Sequence, residues 1–323
     1  MIFRLSFFVS AVFFAAMSVE ATEFVLHSGT GGGSVEIAGP DDRAQVIAMT
    51  KQDRDITREV AFRIEPSGFA AIDSTGYVTP LKNGKGLIIA KVSGEVPVEV
   101  KAPISVSNFE TQRPISFPND VVPVITRNHC NAGACHAKAS GQNGFQLSLL
   151  GYEPQDDFEQ IVTHSRGRRV TPSAAAHSLV LQKATGDLPH QGGARLDKNS
   201  ADYTTIRRWI EEGLAYRPEN DPDIERIEVF PKSIVTKPGS KQQLAVTAYF
   251  SDGTKRDITR LAQYEANQPD LAEAGESGLI TIQEKTGSTA VLLRFQEHID
   301  TFVATIPQGS PIGNMPQPRN FID

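Results

Sequence analysis

The residues best equipped for chemistry lie together in one run, Cys130-Asn131-Ala132-Gly133-Ala134-Cys135-His136. Two thiols followed at once by an imidazole have the logic of covalent haem attachment: the thiols add to the vinyl groups, and the adjacent histidine supplies the proximal nitrogen to iron. The commoner signature separates its cysteines by two residues, whereas here the spacing is the rarer C-x4-C-H. The same residues admit plainer chemistry. Two exported cysteines can form a small disulfide. A structural zinc needs about four ligands, but Cys130, Cys135 and His136 supply three and the chain has only two cysteines. A thioredoxin-type redox pair is disfavoured, because the C-x-x-C spacing and its βαβ setting are absent.

A six-coordinate haem would need a second axial ligand. Once a leader is removed, the only methionines are Met49 and Met315, both far from this run. His190 is the leading candidate, 54 residues after His136 in the tight loop Leu188-Pro189-His190-Gln191-Gly192-Gly193, where Pro and Gly favour a turn that presents a side chain. His164 and His177 are weaker candidates, and His129, next to Cys130, is expected to point away. Ligation by two histidines would give a lower potential than His/Met. Arg166, Arg168 and Arg169 could pair with haem propionates, or form a solvated basic turn.

The amino terminus speaks for export. Arg4 precedes the apolar run from Leu5 to Ala16, and Val19-Glu20-Ala21 supplies a small-residue exit, the pattern of a secretory signal peptide. The alternative, a retained anchor, is disfavoured because the run is short for a membrane span. No second span follows. The whole chain carries 38 acidic and 32 basic side chains, a formal charge of −6, and the absence of a basic block argues against nucleic acid as a partner.

The elements that must position the cysteine run are signalled by a repeat. Arg54-Asp55-Ile56-Thr57-Arg58 recurs as Arg256-Asp257-Ile258-Thr259-Arg260, an offset of 202 that also carries Gly76-Tyr77-Val78-Thr79 onto Gly278-Leu279-Ile280-Thr281. Partly alternating runs at 44–50 and 242–248, the turn Ser251-Asp252-Gly253-Thr254, and later β-rich runs at 87–92 and 289–295 predict two all-β sandwiches. The repeated pentapeptide is expected to mark a strand entry with local hydrogen bonds. The second copy resembles the group 2 bacterial Ig-like domain through Ile227-Glu228-Val229-Phe230-Pro231, Gly239, Asp257-Ile258-Thr259 and Gly278-Leu279-Ile280-Thr281. The first copy is more diverged. The resemblance implies a spacer or an adhesion module, of which the spacer is favoured, since a fold does not by itself imply a function.

Between the copies the text turns helical. Phe117-Pro118-Asn119-Asp120 reads as a helix start with Asn119 as N-cap, followed by an apolar face of Val121, Val124 and Ile125. Tyr203, Ile206, Trp209 and Ile210 form a stripe bounded by Ser200 or Asp202 and by Gly213. With Gly144-Phe145-Gln146-Leu147-Ser148-Leu149-Leu150-Gly151-Tyr152, Gly167-Arg168-Arg169-Val170, Pro189-His190-Gln191-Gly192-Gly193 and Trp209-Ile210-Glu211-Glu212-Gly213, residues 115–214 resemble the planctomycete-type cytochrome c domain of large exported proteins. The resemblance implies haem c, electron transfer at the cell envelope and an Ig-like domain on each side. The final Asn320-Phe321-Ile322-Asp323 resembles the start of a further domain usual in such proteins, so a separate chain carrying the missing part is an expected partner, beside a redox partner protein.

The resulting expectation is a signal peptide (1–21), an Ig-like sandwich (22–110), an all-α cytochrome c-like haem module (111–217), a second Ig-like sandwich (224–307) and a Pro/Gly-rich tail (308–323). Cys130, Cys135, His136 and His190 would hold haem c, with His136 and His190 on the iron, in a non-enzymatic carrier. The rivals are a haem-free surface scaffold with a Cys130–Cys135 disulfide, and a haem sensor or small peroxidase with an open iron position. No phosphate loop, Ser/His/Asp elbow or H-E-x-x-H occurs. The acidic pairs Asp156-Asp157 and Glu211-Glu212 read as solvated helix faces. Export predicts that intact-mass measurement of the secreted chain gives an amino terminus at Thr22; retention of Met1 would contradict it.

Overall fold

The computed structural model describes residues 23–29, 32–93 and 97–309; the leader and residues 310–323 of the tail lie outside it. The first β unit comprises β1 (Phe24–Ser28), β2 (Val35–Ala38), β3 (Ala44–Thr50), β4 (Val60–Glu65), β5 (Ala70–Ile72), β6 (Tyr77–Pro80), β7 (Gly84–Val92) and β8 (Val98–Ser107). Its two sheets have the orders β1-β3-β6-β5 and β2-β8-β7-β4. They enclose Leu26, Val46, Ala48, Ile56, Val78, Ile88 and Ile104.

Four α-helices follow: α1 (Val122–Arg127), α2 (Pro154–Val162), α3 (Leu179–Ala184) and α4 (Ala201–Glu211). The second β unit comprises β9 (Ile224–Phe230), β10 (Ser233–Val235), β11 (Lys241–Gln243), β12 (Ala245–Phe250), β13 (Lys255–Asp257), β14 (Gln263–Ala266), β15 (Ala272–Ala274), β16 (Leu279–Ile282), β17 (Gly287–Phe295) and β18 (His298–Ile306). Its sheets run β10-β18-β17-β14, β11-β16-β15 and β13-β12-β9, around Leu244, Val246, Ile258, Ile280, Val291 and Phe302.

The partial alternation of β3 and β12 has a physical cause. Every residue of β3 is buried, as is all of β12 but Tyr249. One face of each strand packs into its own unit. The other meets the opposite unit, where Ile47, Met49 and Ala245 form a separate apolar cluster with Phe230, and the His27 ring lies 4.5 Å from that of Phe230. A strand buried on both faces loses its period-two signature.

The repeated pentapeptide does more than open a strand. Asp55 Oδ1 accepts locally from the Thr57 amide at 2.7 Å, and Asp257 Oδ1 from the Thr259 amide at 2.9 Å. The second oxygen of each carboxylate crosses to the other copy: Asp257 Oδ2 accepts from the Gln45 amide at 2.7 Å, and Asp55 Oδ2 from the Gln243 amide at 2.5 Å. The hydroxyls of Thr57 and Thr259 accept from the Ala48 and Val246 amides. The side-chain amides of Gln45 and Gln243 donate to the carbonyls of Thr75 and Ser277. Gly76 and Gly278 adopt φ of +79° and +76°, and a Cβ at Gly76 would fall 2.2 Å from the Val46 carbonyl oxygen, so both turns require glycine. The two copies thus face each other as a near two-fold pair inside one chain.

The arginines break the symmetry. Arg58 donates to the Gln243 side-chain oxygen at 2.9 Å. Arg260 instead donates to Thr75 Oγ1 and covers the Tyr77 ring at 3.6 Å.

The intervening segment corrects the expectation of an all-α cytochrome c-like module. Its α-helices have 6, 9, 6 and 11 residues, and residues 128–148 form successive turns with no helix. Left-handed backbone at His129, Gly141, Asn143, Gly144 and Leu150 prevents helix propagation through this run. Ser116, rather than Asn119, caps the first helical turn, its Oγ accepting from the Asn119 amide at 3.2 Å; buried Asn119 donates to Asp221 and the Pro222 carbonyl. Only α4 follows its sequence signals closely. Ser200 accepts from the Tyr203 amide, Gly213 sits at φ +98°, and Tyr203, Ile206, Trp209 and Ile210 are buried.

This segment is tied to both β units. Arg208 pairs with Asp41 at 2.9 Å, Arg127 donates to the Arg260 carbonyl, and Gln296 donates to the Pro118 carbonyl and Asn119 Oδ1. Arg113 clamps Asp120 through two bonds of 2.6 Å.

Asp257→Ala would leave the Gln45 and Thr259 amides without an acceptor. At about 1–3 kcal/mol per stranded donor, urea unfolding should show a loss of about 2–6 kcal/mol; a loss below about 0.5 kcal/mol would mean that the crossing bonds contribute little.

Candidate functional site

The Cys130–His136 loop leaves the end of α1 through Asn128 and left-handed His129. The Cys130 amide donates to the Ile125 carbonyl, and the His136 amide returns to the Cys130 carbonyl, both at 3.0 Å. The loop is therefore closed on itself by its backbone. Both cysteines are half-buried free thiols, so the structure does not show the Cys130–Cys135 disulfide of the scaffold reading. Burial pushes the Cys130 thiol up to about 11, which leaves little thiolate at neutral pH and suits neither a nucleophile nor a redox-active pair.

His136 and His190 are brought together. Their rings are parallel within 6°, with centroids 6.1 Å apart. His136 Nδ1 lies 3.1 Å from the Phe145 carbonyl oxygen, and His190 Nδ1 lies 2.9 Å from that of Gly193. A carbonyl can only accept, so each Nδ1 carries the proton, and each neutral ring keeps its lone pair on Nε2. Fixing one ring nitrogen on a backbone carbonyl is how proteins orient imidazole ligands. Desolvation lowers the pKa of His136, and the nearby His190 and Arg169 lower it further. Neither His164, His177 nor His129 is placed in ring contact with His136; His164 contributes only its carbonyl, to Arg169.

The basic turn resolves differently from its sequence reading. Arg169 is 4% exposed. It donates to the carbonyls of Gln160, His164 and Gly144 and to Ser165 Oγ, and covers the Phe145 ring at 4.6 Å. It is neither solvated nor free to meet a propionate.

Asp157 is likewise no solvated helix residue. It is 1% exposed and accepts from the Ser148 amide at 2.5 Å and hydroxyl at 2.8 Å. Glu212 accepts from the Ile115 amide, and Glu211 pairs with Arg207. From the sequence, Phe145 had no role beyond the family resemblance and Asp157 read as solvated; the signal for Phe145 was the run Gly144 to Leu150, in which a turn-forming glycine precedes an aromatic.

Donor chemistry alone fits a haem c: two thiols, and two imidazoles with free Nε2. Yet among the described residues no group of three or more His, Cys, Asp or Glu side chains is placed to hold a metal ion. No described helix is long and apolar enough to cross a membrane.

No family model matches the chain, and no curated protein matches it. Similar solved structures exist. Domains 1-6 of the surface layer protein SbsC show 10% identity and a TM-score of 0.24 over 90% of this chain and 28% of that one. SbsC domains 5-6 show 10% identity and a TM-score of 0.31 over 88% of this chain and 99% of that one. A 282-residue carboxy-terminal fragment of intimin, in complex with the intimin-binding domain of its translocated receptor, shows 13% identity and a TM-score of 0.18 over 89% and 64%. The chain spans less than a third of the first of these. All three likenesses are too distant to carry function. The short helices, the run of turns at 128–148 and the absence of any matching family model correct the expected kinship: nothing found assigns residues 111–217 to the planctomycete-type cytochrome c domain or the chain to the cytochromes.

Asp157 supplies a pH test. Burial raises its pKa from 3.8 to about 6, against the opposing Ser148 bonds. The folded state then holds the proton more tightly than the unfolded chain, so stability falls as pH rises from about 4 to about 6, by on the order of 3 kcal/mol. Asp157→Asn should flatten this descent in urea midpoints measured across that range; an unchanged profile would remove Asp157 as its source.

Proposed function

We propose that the chain is an exported cell-envelope scaffold in which two β-sandwiches act as one rigid body rather than as beads on a string. The observation that carries this reading is the reciprocal Asp55–Gln243 and Asp257–Gln45 lock around a shared apolar cluster. Domains in one chain move against each other unless a substantial interface stops them; buried carboxylate-to-amide bonds in both directions are such a stop. The surface location rests on the leader pattern of residues 1–21. A separate envelope chain is the partner this reading expects, and nucleic acid is not. Small-angle scattering of the mature chain should fit a single rigid particle, and Asp55→Ala with Asp257→Ala should enlarge its radius of gyration. A wild-type chain that already scatters as separate, mobile modules would overturn the reading.

A second reading concerns four residues and no family: Cys130 and Cys135 attach haem c, with His136 and His190 as its axial imidazoles. It is supported by the parallel rings and their free Nε2 atoms. Haem held there would supply one-electron redox chemistry, and an envelope redox partner belongs to this reading alone. The chain's own contribution is to fix both tautomers through the Phe145 and Gly193 carbonyls. The check is an absorption spectrum and intact mass of protein exported by a host that matures c-type haem. Covalent haem lost in His190→Ala supports the reading; two free thiols and no Soret band exclude it.

A further inference from the structure

Among the described residues, buried Arg169 has no carboxylate partner. Its hydrogen bonds go to three carbonyls and one hydroxyl. Burying a guanidinium without a countercharge is costly, and three carbonyl dipoles compensate only in part.

Arg169 Nη2 donates to the Gly144 carbonyl at 2.9 Å, and the guanidinium lies over the Phe145 ring. The same ring lies 4.5 Å, centroid to centroid, from that of His136. The Phe145 carbonyl accepts from His136 Nδ1 at 3.1 Å and also from the Gln142 amide at 2.8 Å. The dipeptide Gly144-Phe145 is thus gripped by Arg169 and presents both ring and carbonyl to His136. Close packing fixes it further: a Cβ on left-handed Gly141 would fall 2.5 Å from the Phe145 carbonyl oxygen. Ser165 and Arg166, both left-handed at φ +56° and +62°, form the strained turn that brings the Ser165 hydroxyl and the His164 carbonyl to Arg169. Strain held by surrounding contacts is a mark of positions under functional demand.

We propose that Arg169 is the positioning residue of the His136–His190 pair: by clamping Gly144-Phe145 it locks His136 as the Nδ1–H tautomer, so that His136 keeps an unprotonated Nε2 while its ring lies parallel to that of His190. Free imidazole in water has no such constraint. The inference concerns the tautomer of a neutral ring in the polypeptide, so it stands whether or not a cofactor is attached.

The test is histidine 15N NMR on the mature chain with labelled histidine at pH 8. In the wild-type chain the two-bond correlation pattern at His136 and at His190 should be that of the Nδ1–H form. In Arg169→Met the single-tautomer pattern of His136 should be lost while that of His190, fixed by the Gly193 carbonyl, persists. Arg169→Lys, which keeps the charge, should restore it in part. Retention of the His136 pattern in Arg169→Met, with Trp209 still buried by fluorescence, overturns the positioning role. If Arg169→Met does not fold, the wild-type spectrum decides: an Nε2–H pattern at His136 refutes the proposal, and Phe145→Leu, which keeps the accepting carbonyl and removes only the ring, must leave the Nδ1–H pattern in place.

Discussion

The structure depends on two carboxylates that each serve two masters. Asp55 and Asp257 cap their own turns with one oxygen and the opposite β unit with the other. Burial pushes both carboxyls above the ordinary range, while the accepted amide bonds pull them back. A carboxylate taken from water is tolerable only if its oxygens are satisfied, and here the satisfying donors sit on both copies. Separation of the copies would strand the Gln45 and Gln243 amides and expose Ile47, Met49 and Ala245. Polar satisfaction and apolar burial therefore favour the same closed arrangement.

Given that pairing, the position of the intervening segment follows. The chain leaves β8, must return to β9, and has the two sandwiches already in contact. The segment is held against that pair by Arg208 on Asp41 and by Gln296 on Pro118 and Asn119. Its own core, with Phe117, Trp209 and Ile210 fully buried, is comparable with those of the β units. Further order comes from polar side chains: Arg169 on three carbonyls, Asp157 on the Ser148 amide and hydroxyl, and Asn131 on the Thr126 hydroxyl. This explains how a run of turns can hold His136 and His190 parallel without long helices.

The repeat made the two β units legible, because a pentapeptide and a glycine turn recurring in one register are hard to produce otherwise. The amphipathic stripe and caps of α4 were legible for the same local reasons. What was illegible is long-range. Nothing in Arg-Asp-Ile-Thr-Arg says that its aspartate crosses to a glutamine amide 188 or 212 residues away, and the buried character of β3 looked like imperfect alternation. The helical signals at both ends of the segment and the family resemblance misled in the opposite direction: they suggested a whole all-α domain, whereas left-handed residues such as His129 and Leu150 dictate turns. Solvation was misread at Asp157 and Arg169, whose burial depends on partners from distant turns that no local pattern encodes.

The central claim, that the two copies form one closed unit through the crossing bonds, is tested most directly by native-state hydrogen exchange at the Gln45 and Gln243 amides. If the lock is the structural keystone, both amides exchange only through global unfolding, with the same free energy as the core amides of Val246 and Ala48. Exchange through a low-energy local opening, while those core amides stay protected, would show that the sandwiches part readily and would contradict the account.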